Sequence, residues 1–416
     1  MEGSSFEEME SVRPSRPRRS SADSRVPARA APERIGRYQL CFELASGGMA
    51  SVHLARAEGA PGCQKLVALK RIHSHLADEK DYVEMFLDEA RIASRITHAN
   101  VCSVFDFGEA DGEYFIAMEY LVGESLSRMH RRVVANADQR SSPLLPARMA
   151  RVIAQACEGL HAAHELRDAD GELLHVVHRD VSAENLFVTY DGAAQVVDFG
   201  IAHARQRVHH TEAGQVKGTF PYMAPEQMTA AVVDRRVDVW ALGAVLWELL
   251  TLRRLFLRES DVDTMYAVLS GEIRPPSDYR SDAPAELDEI VLKALQRNPA
   301  ERWQSAREMG KALRRFLADQ EELVGPAEIA DWMEELFPNG EARKRQLMEI
   351  ARTSDASIAS DPPHRPGDKS GRRNMQIPPT SGRRLPAAPP LPASLLVMVI
   401  GVVTVLAVLA LDWLRQ

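Results

Sequence analysis

The run His178-Arg179-Asp180-Val181-Ser182-Ala183-Glu184-Asn185, followed thirteen residues later by Asp198-Phe199-Gly200, constrains this chain more than any other feature. A carboxylate, an amide five residues on and a second carboxylate can hold a hydroxyl and two magnesium ions around one phosphate. An Asp-Phe-Gly tripeptide alone occurs by chance. The signal lies in the ordered set, which continues in both directions.

N-terminal to this run the pattern is that of a small mixed α/β unit. Tyr38 to Leu44, Ser51 to Ala57 and Leu66 to Ile72 are short apolar runs split by glycines and read as antiparallel strands. Tyr82 to Ile96 has helical apolar spacing, and Val101 to Gly108 and Tyr114 to Tyr120 are two further strands around the turn signal Asp111-Gly112. Beyond Gly123 the chain becomes helical, at Ala147 to His164, Val237 to Leu252, Glu286 to Leu295 and Ser305 to Leu317, interrupted by a hairpin over Val188 to Val197. The fold class is therefore α+β, a β-rich lobe followed by a helical one.

Two glycines, Gly47 and Gly48, sit in the turn Leu44-Ala45-Ser46-Gly47-Gly48-Met49-Ala50-Ser51-Val52, where backbone amides can close over phosphate oxygens because no Cβ blocks their approach. Val67-Ala68-Leu69-Lys70 puts a lysine on an apolar strand, and Glu89 on the next helix is its natural counter-ion. Paired, the ammonium stays charged.

With these motifs in this order, residues 37 to 316 resemble the Hanks-type, eukaryotic-like protein kinases, in detail the bacterial Ser/Thr branch. The resemblance implies a two-lobed fold, with an N-lobe over 37–121 and a C-lobe over 122–316, that uses ATP and Mg2+ on protein substrates. By the same resemblance Leu44 to Val52 and Ala68 would cover the nucleotide, Lys70 would hold its phosphates and Glu89 would brace Lys70. Met118 would be the gatekeeper, and Glu119 and Leu121 would offer main-chain groups to adenine. Asp180 would take or orient the substrate hydroxyl proton, with Asn185 and Asp198 as magnesium ligands. Thr211 and Thr219, in the loop that runs to Ala224-Pro225-Glu226, would be the regulatory positions, and Gly218-Thr219-Phe220-Pro221-Tyr222 has the Ser/Thr form. Glu226 and Arg302 would form a buried ion pair, and Asp238 would tie the catalytic loop in place. Three departures stand out: Ala45 and Ala50 replace the loop's usual first and third glycines, and Ser182 replaces a lysine that usually meets the γ-phosphate. They motivate a rival expectation, a nucleotide-binding pseudokinase scaffold.

The flanks differ in kind. Residues 1–36 are rich in Ser, Arg and Pro and are expected to be a disordered tail; Ser20 and Ser21 follow two arginines and form a candidate autophosphorylation target. Residues 317–352 are expected to be a helical extension packed on the large lobe, and 353–392 a Pro/Arg-rich linker. Ala393 to Leu411 runs nineteen residues without a charge. As a helix it would be roughly 28 Å long, close to the ~30 Å hydrocarbon core, so a single transmembrane helix is expected, with 412–416 as an external tail. The arginines before it would place the lobes on the cytoplasmic side of the cell (inner) membrane, touching lipid headgroups. A homodimer is what the family suggests. A net charge of −8 argues against nucleic-acid partners, and four scattered cysteines argue for reduced thiols. The acidic start carries no apolar run, so no secretory signal is expected there.

Overall fold

The computed structural model describes residues 33–58, 64–199, 220–229 and 231–353. Ser20, Ser21, Cys63, Gly200, Thr211, Thr219, the linker and the 393–411 segment lie outside the described residues. Among those described, no helix is long and apolar enough to cross a membrane.

The small lobe is a six-stranded antiparallel sheet, β1 (Arg34–Ile35), β2 (Tyr38–Ser46), β3 (Ala50–Ala57), β4 (Lys65–Ile72), β5 (Val104–Ala110) and β6 (Glu113–Glu119), in the order β1-β2-β3-β4-β6-β5. Arg34 and Ile35, expected within the disordered tail, instead pair with Gln39 and Tyr38, because Ile35 finds a fully buried place beside Tyr38 and Leu40. Between β5 and β6 the turn residues Asp111 and Gly112 both have positive φ, 56° and 79°, the twist that a two-residue hairpin demands.

Helices α1 (Ser74–Ala77) and α2 (Lys80–Ala93) follow β4. α2 lays Val83, Phe86 and Ala90 against Ile72 and Ile116 of the sheet, so the same face carries Glu89 inward. The chain then crosses through Tyr120–Val122 into β7 (Gly123–Ser125), which pairs with β8 (Leu186–Thr189); β8 pairs in turn with β9 (Ala194–Val196).

The large lobe contains α3 (Leu126–Ala135), α4 (Ala137–Arg140), α5 (Leu145–His164), α6 (Pro225–Met228), α7 (Arg236–Thr251), α8 (Asp261–Ser270), α9 (Ala285–Ala294) and α10 (Ala306–Ala318). Every residue of α7 from Val237 to Thr251 is buried, which explains why its sequence has no polar stripe. The apolar runs read as helices recur within a few residues of their expected ends; β7 and α8 carried no strong periodic signal, and α3 was passed over although Leu126, Met129 and Val133 stand at i, i+3 and i+7.

The extension after α10 divides. α11 (Pro326–Leu336) packs Ile329, Trp332, Met333 and Leu336 into the large-lobe core, as expected from their i, i+3, i+4, i+7 spacing. It docks over the β8–β9 turn, where Gly192 has φ +84° and a Cβ would stand 1.9 Å from the Pro326 carbonyl oxygen. α12 (Gly340–Thr353) departs from the expectation. It leaves the large lobe and runs against β3 and β4 of the small lobe, because the face holding Ala351 is covered there by Cys41 and Arg56.

Candidate active site

The cleft between the lobes gathers residues that lie up to 128 positions apart. Lys70 on β4 places Nζ 3.0 Å from Glu89 Oε1 on α2 and 3.1 Å from Asp198 Oδ1. Burial alone would lower the Lys70 ammonium, but Asp198 and Glu89 outweigh it and hold it above the usual lysine range. Burial pushes the Glu89 carboxyl up to about 7 against the pull of Lys70, with Asp198 adding to the rise. Two carboxylates thus share one cation, so the site is short of positive charge.

The catalytic-loop residues are held from beneath. Asp238 at the start of α7 accepts the main-chain N–H of His178 on Oδ2 and of Arg179 on Oδ1, each at 2.8 Å, and His164 Nε2 lies 2.7 Å from Oδ2. Burial acts to raise the Asp238 carboxyl, yet the His164 ring and the His178 main chain prevail and hold it below its ordinary range. Arg179 and Asp198 are both left-handed, at φ 66° and 53°, an arrangement costing on the order of 1–3 kcal/mol each that the surrounding bonds must hold. His178 supplies one of them: its Nε2 meets the Val197 carbonyl at 3.1 Å and its ring lies 4.7 Å from that of Phe199. The expected pair is therefore joined side to side.

Asn185 Nδ2 donates to Asp180 Oδ2 at 3.0 Å and to the Asp180 carbonyl at 2.8 Å. With its nitrogen engaged, the amide keeps its oxygen for a cation, and Asp198 adds a partly exposed carboxylate. Hard oxygen donors of this kind fit magnesium. Ser182 turns back on the loop, its Oγ accepting the N–H groups of Glu184 and Asn185 at 3.3 and 3.4 Å. It braces Asn185.

Ala68, Met118 and Leu121 form one apolar cluster with Cys102, and Val52, Phe187 and Val197 pack around it. Sequence reasoning missed Cys102, Phe187 and Val197. Phe187 had a findable signal, since it stands two residues after Asn185 and pairs with Gln195 in β9. Cys102 had none. The Glu119 carbonyl meets the Cys102 thiol at 3.6 Å, and the Leu121 carbonyl takes the Gly123 N–H at 3.0 Å. Above the cluster, Ser46 and Ala45 pair with Ser51 and Val52, leaving Gly47, Gly48 and Met49 as the tip, and the Gly47 N–H bonds the Ala50 carbonyl. Leu44 is partly exposed on β2. Ala45 pairs with Val52 directly after a register shift between Glu43 and Ala45, and Ala50 pairs with Ile72, so both methyls are accommodated within the paired strands. His73 fastens the tip from outside, its N–H bonding Met49 O and its ring Gly47 O.

Glu226 and Arg302 meet as expected, at 2.6 and 2.7 Å in a two-pronged pair, with Arg302 only 1% exposed. The remaining guanidinium donors reach the carbonyls of Gln296, Arg236 and Arg297, so all five are used. Unforeseen was Gln227, whose Nε2 reaches the Arg179 carbonyl at 3.2 Å and ties α6 to the catalytic loop.

A two-lobed molecule with a lysine, two carboxylates and a metal-competent amide in its cleft is built to position phosphate groups. The chain belongs to the protein kinase domain family, whose model matches residues 38–312. It is 45% identical over 284 residues to the tyrosine-protein kinase MasK of Myxococcus xanthus, covering 68% of this chain and 43% of that one. It is 36% identical over 279 residues to the serine/threonine-protein kinase PknB of Mycolicibacterium smegmatis, covering 66% and 42%. The chain thus spans less than half the length of these relatives. Among solved structures, the PknI kinase domain of Mycobacterium tuberculosis superposes with a TM-score of 0.50 at 28% identity, over 69% of this chain and 98% of that one.

Proposed function

We propose that this chain is an active Ser/Thr protein kinase that transfers the γ-phosphate of ATP to protein hydroxyls. The observation that carries the reading is the convergence of Lys70, Glu89 and Asp198 with Asp180 and Asn185 in one cleft. Lys70 orients the nucleotide phosphates and Glu89 keeps its ammonium in place. The apolar cluster of Ala68, Met118, Leu121 and Phe187 takes the base. Magnesium, held by Asn185 and Asp198, would neutralise charge on the phosphates. Asp180 aligns the acceptor hydroxyl and takes its proton as the oxygen bonds the γ-phosphorus and the bond to the β-phosphate oxygen breaks, releasing ADP. The missing lysine at Ser182 removes one positive contribution to the transition state, which lowers the rate without removing the nucleophile's partner.

Ser/Thr specificity is supported by the Gly218-Thr219-x-x-Tyr222 form and by the relatives named serine/threonine-protein kinases. A tyrosine acceptor is the second reading, favoured by the name of the 45% identical relative. Radiolabel transfer to the protein itself and to a basic protein substrate, followed by phosphoamino-acid separation, decides both. Asp180→Asn and Lys70→Ala should each lose at least about a hundredfold in kcat/KM. Equal labelling in wild type and both variants would leave a nucleotide-binding scaffold, and label on tyrosine alone would replace the Ser/Thr reading. Autophosphorylation at Thr211 or Thr219 and homodimer formation belong to the same proposal, as does the domain span 37–316. The uncharged run 393–411 supports a single-pass membrane anchor with lipid contacts, testable by whether its deletion moves the protein from the membrane to the soluble fraction.

A further inference from the structure

α12 touches both lobes and the segment that joins them. Its inward face is Gly340, Lys344, Leu347, Met348 and Ala351, the i, i+4, i+7, i+8, i+11 set of one helical side. At its N-terminal end Gly340 sits on the large lobe, against the Tyr190 ring at the end of β8, where a Cβ would stand 2.0 Å from the tyrosine hydroxyl. Phe337, just before the helix, is buried in the large-lobe core. At the other end Ala351 is fully buried, and its carbonyl is 3.8 Å from the Cys41 thiol on β2. The Arg352 carbonyl accepts a 2.8 Å bond from Arg56 on β3. Arg56 is itself buried and also donates to Gln39 of β2, so a cation fixed in the small lobe caps the negative end of this helix.

Between these ends stands Lys344. Its ammonium donates to the Gly123 carbonyl, two residues beyond Leu121, and lies 3.7 Å from Glu124 Oε1. Glu124 is buried and also accepts from Tyr190 at 2.9 Å and pairs with Arg128 at 2.6 Å. The hinge, the large-lobe sheet and α12 therefore share one charge cluster. A fourteen-residue helix is a rod of about 20 Å that resists bending, and a rod held at both ends fixes the distance between its anchors. Here the anchors lie on different lobes.

We propose that α12 is a strap that sets the angle between the lobes, with Lys344 as a positioning residue that holds the hinge where the nucleotide base lies. The inference rests on the cleft being the nucleotide site of the proposed kinase. It extends that reading by giving a segment beyond the matched domain a part in nucleotide affinity.

The full chain tests it through binding of a non-hydrolysable ATP analogue with magnesium, which needs no phosphoryl transfer and so can fail separately from the kinase reading. Lys344→Met removes the hinge bond, and Gly340→Ala displaces the helix from Tyr190 while leaving Lys344 intact. Each should weaken analogue binding roughly three- to tenfold, the scale of one ordinary intramolecular hydrogen bond, and raise KM for ATP with kcat nearly unchanged. Amide hydrogen exchange over residues 119–124 should quicken in both, and Lys344→Arg should restore affinity and protection. Unchanged affinity and hinge exchange in the two variants would overturn the proposal. A fall in melting temperature with kcat and KM lost together, unrepaired by Lys344→Arg, would make α12 a plain fold element and overturn it equally.

Discussion

Arg302 has no route to water: its five donors are spent on Glu226 and three carbonyls, and its guanidinium lies 5.0 Å over the Trp240 ring. Truncating one partner leaves the other charge buried without compensation. Glu226→Ala should therefore cost about 3–5 kcal/mol, read as a lowered urea midpoint at unchanged slope. Asp238 gives the pH dependence. Its folded carboxyl binds a proton more weakly than the ordinary aspartate near 3.9, so its contribution is complete above about pH 4 and drains away as pH falls through the folded value. Asp238→Asn should melt lower at neutral pH and show a flatter melting curve against pH below about 4 than the wild type. Most site residues were legible at this scale, since their types and order carry the chemistry. Cys102 and Gln227 were not, because an apolar wall or a main-chain tie needs only a suitable size and place, which many residues satisfy.

At the scale of elements, legibility followed periodicity. α11 advertised itself through Ile329, Trp332, Met333 and Leu336, and the large-lobe core takes all four. Trp332 is fully buried, its Nε1 donates to Gln139 Oε1 at 2.7 Å and Arg148 stacks on its ring at 5.3 Å. Trp332→Ala should cost about 3–5 kcal/mol in chemical unfolding, showing that the extension is part of the cooperative fold. A loss below about 1 kcal/mol would mean that α11 frays independently. α12 was misplaced for a reason visible in its composition. Its inward face carries a glycine and a lysine among few apolar residues, so burial pattern alone could not say which surface it meets. β7 was missed because three residues, Gly123 to Ser125, make no period.

At the scale of the whole molecule, the lobes meet at the cleft, at the hinge and along α12. Lys70 bridges β4, α2 and Asp198, and its two carboxylate partners come from different lobes. A change in lobe angle therefore acts directly on the ion pair that holds the phosphates, which is why the strap and the site belong to one mechanical unit. The sequence by itself determined the family, the α+β class, the order of the lobes and nearly every charged group in the cleft, because phosphate chemistry admits few residue types and fixes their order along the chain. Tertiary structure alone decided which carbonyls and rings those groups lean on, the turn of Ser182 back onto its own loop, and the course of α12 across the hinge. Those outcomes depend on which surfaces are left uncovered once the lobes have packed, and long-range packing leaves no local period to read.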